Sequence, residues 1–375
     1  METQTSEHDP LPAPALDPEL ARIVRRALPN ARLVRAVALG PDDGARTRQV
    51  TAKAAGYGTP IRLEVEVEGK PKSFVLHGTS SNPFGHDRRA DRAAELLLAA
   101  DTFGAIPRHA QALDVGAFRR DGTSVSLQDS GEFYLLTEYV EGHPYADDLR
   151  AIARRRAATP ADFERVRALA DYLVQLHTPL PDGGVAHARS LRDLLGGGEG
   201  IFGIVDGYGL NAAGADAQRL QGIESRCLEW RWRLKRLEPR PTRIHGDFHP
   251  FNVLFDDAGS LHVLDTSRGS LGDAADDVTC MAANFIFFAL EDKAAWHSAL
   301  APLWREFWTR YLAQAGDARL LSVAAPFLTW RLLVLACPVW YPNLSADARG
   351  RLLRLAEAAL DAERFDPDLA EQVFR

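Results

Sequence analysis

The chain has 375 residues, 46% of them hydrophobic and 25% charged, which is an ordinary globular composition. That length exceeds one small core and suits two lobes with modest extensions. A formal net charge of -7 excludes a general nucleic-acid binder, whose surface would be basic.

Residues 1–30 open METQTSEHDPLPAPALDPEL, rich in Pro and acids and lacking the basic start and apolar run of a signal peptide. They read as a mobile tail. From Leu33 to Leu136 the pattern favours strands. Ile61 to Val67 alternates apolar and charged residues (IRLEVEV), and Ser73 to Leu76 follows the turn-like EGKPK. Asp87 to Ala100 has the pattern of a helix, and Phe133 to Val140 (FYLLTEYV) that of a buried strand ended by Glu141-Gly142. The lobe boundary is therefore expected near Glu141 to Pro144, between lobes of residues 31–141 and 142–375.

Beyond Gly142 the character is helical. Phe163, Val166, Leu169, Leu173 and Leu176 recur at helical spacing within Ala161 to His177. Gly196 to Gly214 is dense in glycine and reads as a loop; helical patterns return at Leu220 to Leu237 and from Asp273 onward. Phe327 to Tyr341 is the best candidate for a membrane segment, but Arg331 and Pro338 interrupt it and it is too short to span a bilayer. No membrane association is expected. Cys227, Cys280 and Cys337 are sparse, odd in number and without metal-ligand spacing, as reduced thiols of a cytoplasmic protein would be.

The informative stretch runs from Arg243 to Val278, RIHGDFHPFNVLFDDAGSLHVLDTSRGSLGDAADDV. An acid, Asp247, sits in a His-Gly-Asp turn, with Asn252 five residues later. Val253 to Phe255 reads as a strand, Asp257 to Ser260 as a four-residue hairpin loop, and Leu261 to Leu264 as the returning strand ending at Asp265. In that register 254 faces 263 and 252 faces 265, so Asn252 and Asp265 converge beside the turn that presents Asp247. An amide oxygen and a carboxylate suit magnesium, a hard cation that takes further ligands from water and phosphate. A third carboxylate held apart can orient a hydroxyl and accept its proton. Together these are the parts of phosphoryl transfer.

The same stretch resembles the aminoglycoside phosphotransferase family, small-molecule kinases with the protein-kinase fold. His245-Gly246-Asp247 followed by Asn252, and Asp265 followed by Gly272-Asp273 and Asp277, reproduce its spacing. The resemblance implies an α+β, two-lobed, protein-kinase-like architecture with a small antiparallel-sheet N-lobe and a larger, mainly helical C-lobe. It implies an ATP- and magnesium-dependent phosphotransferase acting on a small-molecule hydroxyl: an antibiotic, natural product or metabolite. Asp247 would be the base, Asn252 and Asp265 the magnesium ligands, and Asp273 a brace for the catalytic loop. The backbone at Glu138 and Val140 would meet adenine, and Ala55 to Thr59 would cover the phosphates. His77 stands where the family places a phosphate-pairing Lys or Arg, with Glu95, or Asp91 one turn away, as the partner carboxylate. Arg88, Arg89 and Arg92 are alternative sources of that charge.

Two other readings compete. The histidine at 77 suits a degenerate fold that binds nucleotide or a partner without turnover. His245, Asp247 and His249 at alternating positions would suit a metallohydrolase. The C-terminal aromatics, among them Phe285, Trp304, Trp308 and Trp330, are expected to be core, or else to line an acceptor cleft with an apolar floor. Nothing in the sequence specifies an oligomeric state.

Overall fold

The computed structural model describes residues 16–39, 58, 60–180 and 184–375, and these fall into two compact units, Met1–Leu136 and Thr137–Arg375. The division comes a few residues before the expected boundary.

In the first unit, helix α1 (Pro18–Ala27) precedes strands β1 (Ala31–Ala38), β2 (Ile61–Val67) and β3 (Lys70–Leu76), which form an antiparallel sheet in that order. Part of the expected mobile tail is thus a helix. Asp17 accepts a hydrogen bond from the Glu19 N–H at 2.8 Å and Pro18 opens the first turn, a favourable start signal. Leu20, Ile23 and Val24, three and four residues apart, are buried in one small core with Ile61, Leu63 and Val65 of β2. The strand alternation expected at IRLEVEV is observed, with Arg62 and Glu64 off the core face. Glu68 and Gly69 join β2 to β3 with φ of 52° and 76°, the paired positive values of a two-residue hairpin turn. Helix α2 (Arg89–Thr102) and the short hairpin β4 (Gly116–Phe118) with β5 (Ser124–Ser126) complete this unit.

The second unit is mainly helical. It runs through β6 (His143–Pro144), α3 (Tyr145–Arg155), α4 (Pro160–Leu176), α5 (Gly184–Gly196) and α6 (Ile201–Asp206). The glycine-dense segment expected to be a loop contains α6 and a small hairpin, β7 (Asn211–Ala212) with β8 (Ala215–Asp216). Ile201 and Ile204 bury one face of α6, which is what stabilises a helix of only six residues. Helix α7 (Ala217–Lys235) follows, then β9 (Thr242–Arg243), β10 (Val253–Phe255), β11 (Leu261–Val263) and β12 (Leu271–Gly272). Helices α8 (Ala275–Ala289), α9 (Ala301–Ala315), α10 (Leu320–Ala336) and α11 (Ala346–Asp361) close the unit. Helix α10 is apolar almost all round and lies at the centre, packed on α8 and α11. No described helix is long and apolar enough to cross a membrane.

One expectation is overturned outright. Phe133 to Val140 forms no strand, and Phe133, Tyr134, Leu135, Leu136 and Tyr139 are exposed. An extended segment becomes a strand only when a neighbour takes up its N–H and C=O groups, and none of the described strands pairs with it. Apolar character predicted burial but could not supply the partner.

Candidate active site

The loop carrying Asp247 is held at its N-terminal end by backbone. β9 pairs with β12, the Ile244 N–H donates to the Ser270 carbonyl at 3.0 Å, and the Ser267 N–H donates to the His245 carbonyl at 3.2 Å. Gly246 has φ of 83°, and a Cβ there would lie 2.3 Å from the Ser267 carbonyl oxygen, so only glycine fits. Phe248, fully buried, stacks on Tyr172 of α4 with centroids 5.6 Å apart and pins the far side of the turn.

The brace for this loop is Asp277, not Asp273 as expected. The fully buried Asp277 carboxylate accepts the His245 N–H at 2.7 Å and the Gly246 N–H at 2.8 Å, and lies 3.2 Å from His177 Nε2. His177 Nδ1 is in turn 2.7 Å from the Tyr311 hydroxyl, so the loop is tied through one residue to α4 and α9. Burial alone would raise the Asp277 pKa; the hydrogen bond and charge of His177, with the two backbone donors, hold it below the ordinary value. Asp273 instead accepts the Ala275 N–H at 2.9 Å and caps the start of α8. Asp277→Ala is expected to cost about 3 kcal/mol or more, because it strands two buried N–H donors and a buried histidine. Chemical denaturation measures it. A loss under about 1 kcal/mol would remove Asp277 from this role.

Around Asp247 the surprise is a cation. Arg331 of α10 donates from Nη1 to Asp247 Oδ1 at 3.0 Å, and from Nη2 to the Gly246 carbonyl at 3.1 Å and Asp276 Oδ1 at 2.6 Å. The other carboxylate oxygen, Oδ2, is 3.4 Å from His249 Nε2. Burial would push the Asp247 carboxyl up; the hydrogen bond from His249 and the charges of Arg331, His249 and Arg268 overcome it and hold the group well below the usual range. Asp247 is therefore an ionised, doubly anchored carboxylate. Arg331 is buried, and its partner Asp276 lies beside Asp277 at the start of α8.

The hairpin that sets the proposed cation ligands forms as expected, but one residue out of register. Val253 pairs with Val263, Leu254 with His262 and Phe255 with Leu261. The turn is tighter than expected because the Asp256 N–H bonds the Ser260 carbonyl and the Asp256 carboxylate accepts the N–H groups of Ala258 and Ser260. Gly259, at φ of 82°, closes a three-residue loop. Asn252 thus faces Leu264, whose N–H donates to the Asn252 carbonyl at 2.9 Å, and Asp265 comes next. Asp265 is exposed and takes a left-handed backbone, φ 50°, which ends the strand. Asn252 is buried and spends its side-chain Nδ2 on the Asp247 carbonyl at 3.2 Å, leaving the amide oxygen as its donor atom for a cation. One amide oxygen and one exposed carboxylate fit a magnesium ion that keeps water and phosphate in its other positions.

The remaining expected residues are less well gathered. His77 is exposed and follows the end of β3. The Glu95 carboxylate pairs with His86 Nε2 at 3.2 Å, while Asp91 accepts the Arg88 N–H at 3.0 Å and caps α2. The expected carboxylate partner of His77 is therefore engaged elsewhere. Arg92 braces the chain by donating to the carbonyls of His86 and Asp87. Glu138 is exposed and Val140 partly so, both outside any strand. Of the expected phosphate loop, Ala55, Gly56, Tyr57 and Thr59 lie outside the described residues. His245 is buried with its Nδ1 accepting the Asp247 N–H at 3.2 Å, and no cluster of three metal-binding His, Cys, Asp or Glu occurs among the described residues. That removes the metallohydrolase geometry. Phe285, Trp304, Trp308 and Trp330 are core residues.

Comparison with known proteins places this geometry in context. The sequence model of the phosphotransferase enzyme family matches residues 81–311. No curated protein matches the chain. Similar solved structures include a glucosamine kinase, 20% identical, with TM-score 0.41 over 56% of this chain and 57% of that one. The chain thus spans little more than half the length of that kinase. Choline kinase LicA from Streptococcus pneumoniae is 13% identical, with TM-score 0.36 over 91% of this chain and 97% of that one. An aminoglycoside-3'-phosphotransferase of type VIII is 19% identical, with TM-score 0.33 over 85% of this chain and 97% of that one.

Proposed function

The chain belongs to the phosphotransferase enzyme family, and from that premise we propose that it moves the terminal phosphoryl group of ATP to a hydroxyl of a small molecule. The observation that carries this reading is the arrangement of Asp247, held ionised between Arg331 and His249, beside a hairpin that sets Asn252 next to Asp265 in the chain ladder. Asn252 and Asp265 would hold magnesium, which would supply positive charge to offset that of the phosphate groups.

The protein's own part is positional. Asp247 accepts a hydrogen bond from the acceptor hydroxyl and takes its proton late, as phosphoryl transfer completes. Such transfer proceeds through a loose transition state with little bond formation to the nucleophile, so a carboxylate of low basicity suffices when it is well placed. Arg331 and His249 supply that placement by fixing both carboxylate oxygens. The backbone of Glu138 and Val140, outside any strand, would meet the edge of the adenine. The cytoplasm is the proposed location, consistent with three buried free thiols.

Asn252→Ala and Asp265→Ala are expected to weaken magnesium-dependent nucleotide binding by about ten-fold or more while leaving the folded state intact. Titration of nucleotide affinity against magnesium reads the effect. Unchanged magnesium dependence in both variants would sink the proposed cation site.

A further inference from the structure

Arg268 lies in the segment that leaves Asp265, and its position is costly. A non-glycine residue at φ of 53° occupies a sparsely populated backbone region, and Asp265 three residues earlier is at 50°. The guanidinium is laid on the ring of Trp330, 4.4 Å from its centroid, and Arg331 lies 4.0 Å from the same ring. Trp330 is itself fixed by burial and by its Nε1 donating to the Glu199 carbonyl at 2.7 Å. Two cations therefore share one aromatic platform beside Asp247.

Their hydrogen bonding is unequal. Arg331 is answered by Asp247, Asp276 and the Gly246 carbonyl. Arg268 donates from Nη1 to Ser267 Oγ at 3.1 Å, but its buried Nη2 makes no hydrogen bond. Asp276 Oδ1 is 3.7 Å from that atom, beyond hydrogen-bond reach and already bound to Arg331, and the exposed Glu199 is 3.9 Å from Nη1. The side chain keeps 16% of its surface exposed, and an anion reaching that edge would offset the desolvation cost of a guanidinium so thinly answered.

Resting on the reading of Asp247 as the base, we propose that the acceptor is a hydroxy-carboxylate, its carboxylate held by Arg268 while a nearby hydroxyl faces Asp247. A guanidinium presents paired N–H groups in the plane that a carboxylate matches, and a low-dielectric aromatic platform strengthens the contact. A cationic amine brought to the same place would meet the Arg268 guanidinium, the one of the two whose charge no carboxylate answers at hydrogen-bond distance. The site thus selects by charge, favouring an acid over its neutral or aminated counterpart.

The test uses the full chain with magnesium-ATP and three acceptors sharing one skeleton: gluconate, glucose and glucosamine, followed by glycerate against glycerol. ADP release is expected to be stimulated by at least one acid, with kcat/KM about ten-fold or more above its neutral parent, and glucosamine is expected to be poorest. Arg268→Gln should erase the acid's advantage, mainly through KM, and Arg268→Lys should restore part of it. The readout is the acid-to-neutral ratio within each protein, so a general change in activity does not enter it. If neither acid exceeds its neutral parent, if glucosamine leads, or if the ratio survives in Arg268→Gln, the proposal is overturned. Failure of the proposed function itself would look different, because magnesium-dependent nucleotide binding, or ADP release above the Asp247→Asn background with any acceptor, would then be missing from the unaltered protein.

Discussion

Asp247→Asn is expected to lower kcat by about 10²- to 10⁴-fold, the range supplied by a positioned general base. Nucleotide affinity in magnesium should stay within a few-fold of the unaltered protein, because the proposed cation ligands are Asn252 and Asp265. The substitution keeps the shape of the side chain and one oxygen able to accept from Arg331. Arg331 also retains Asp276 and the Gly246 carbonyl, so the loop should remain in place. Calorimetric nucleotide binding measured beside a turnover assay separates the two effects. Full turnover in the variant would exclude Asp247 from the chemistry, whereas joint loss of binding and turnover would point to a damaged loop instead.

The second large effect is expected at Arg331. Replacing it with leucine leaves Asp247 and Asp276 without their shared cation in a buried setting. Removing one partner of a buried ion pair typically costs about 3–5 kcal/mol. Denaturant unfolding should show a loss of that order. The pH dependence carries a second signature. With burial opposed by His249, Arg331 and Arg268, the Asp247 carboxyl titrates well below the usual carboxylate range, so ionisation of this group does not limit turnover at mildly acidic pH. A depressed carboxylate pKa contributes stability above the unfolded-state value of about 3.9, and that contribution is lost as pH falls through the folded-state value. Without the arginine charge the pKa must rise, because the ionised form has lost a stabilising neighbour. The acid limb of kcat should therefore move toward neutral pH. An unmoved limb together with unaltered stability would mean that Arg331 does not act on Asp247.

What could be read from the sequence follows from which interactions are local. β2, β3, α2, α4 and the 253–263 hairpin were legible because alternation, helical spacing and turn chemistry are carried within a few residues. The hairpin register missed by one because Asp256 captures two N–H groups of its own turn, a side-chain effect that counting positions does not include. Asp273 and Asp277 both follow Asp265 at plausible spacing, and only the packing of α8 decides which one reaches His245. Arg331 carries a signal legible in the sequence. An arginine inside an apolar helix too short to span a bilayer must be buried with an acid, and the acids of the His-Gly-Asp turn and the start of α8 were the available partners. Phe133 to Val140 failed in the opposite sense, since apolar composition says that a segment seeks cover but not that a neighbouring strand provides it.

The close passage of Gly246 over Ser267 has a consequence for how ligand binding is distributed in free energy. The Asp247 loop and the Asp265–Ser270 segment are joined by the His245–Ser267 and Ile244–Ser270 hydrogen bonds, with no room for a side chain between them. Neither stretch can reorganise without carrying the other. Ordering each residue of backbone costs about 1–2 kcal/mol of conformational entropy, and here that cost falls on folding rather than on the arrival of a ligand. The two halves of the site enter the encounter as a single pre-organised body. More of the intrinsic contact energy is then available for recognising the acceptor, instead of being consumed in assembling the groups that meet it.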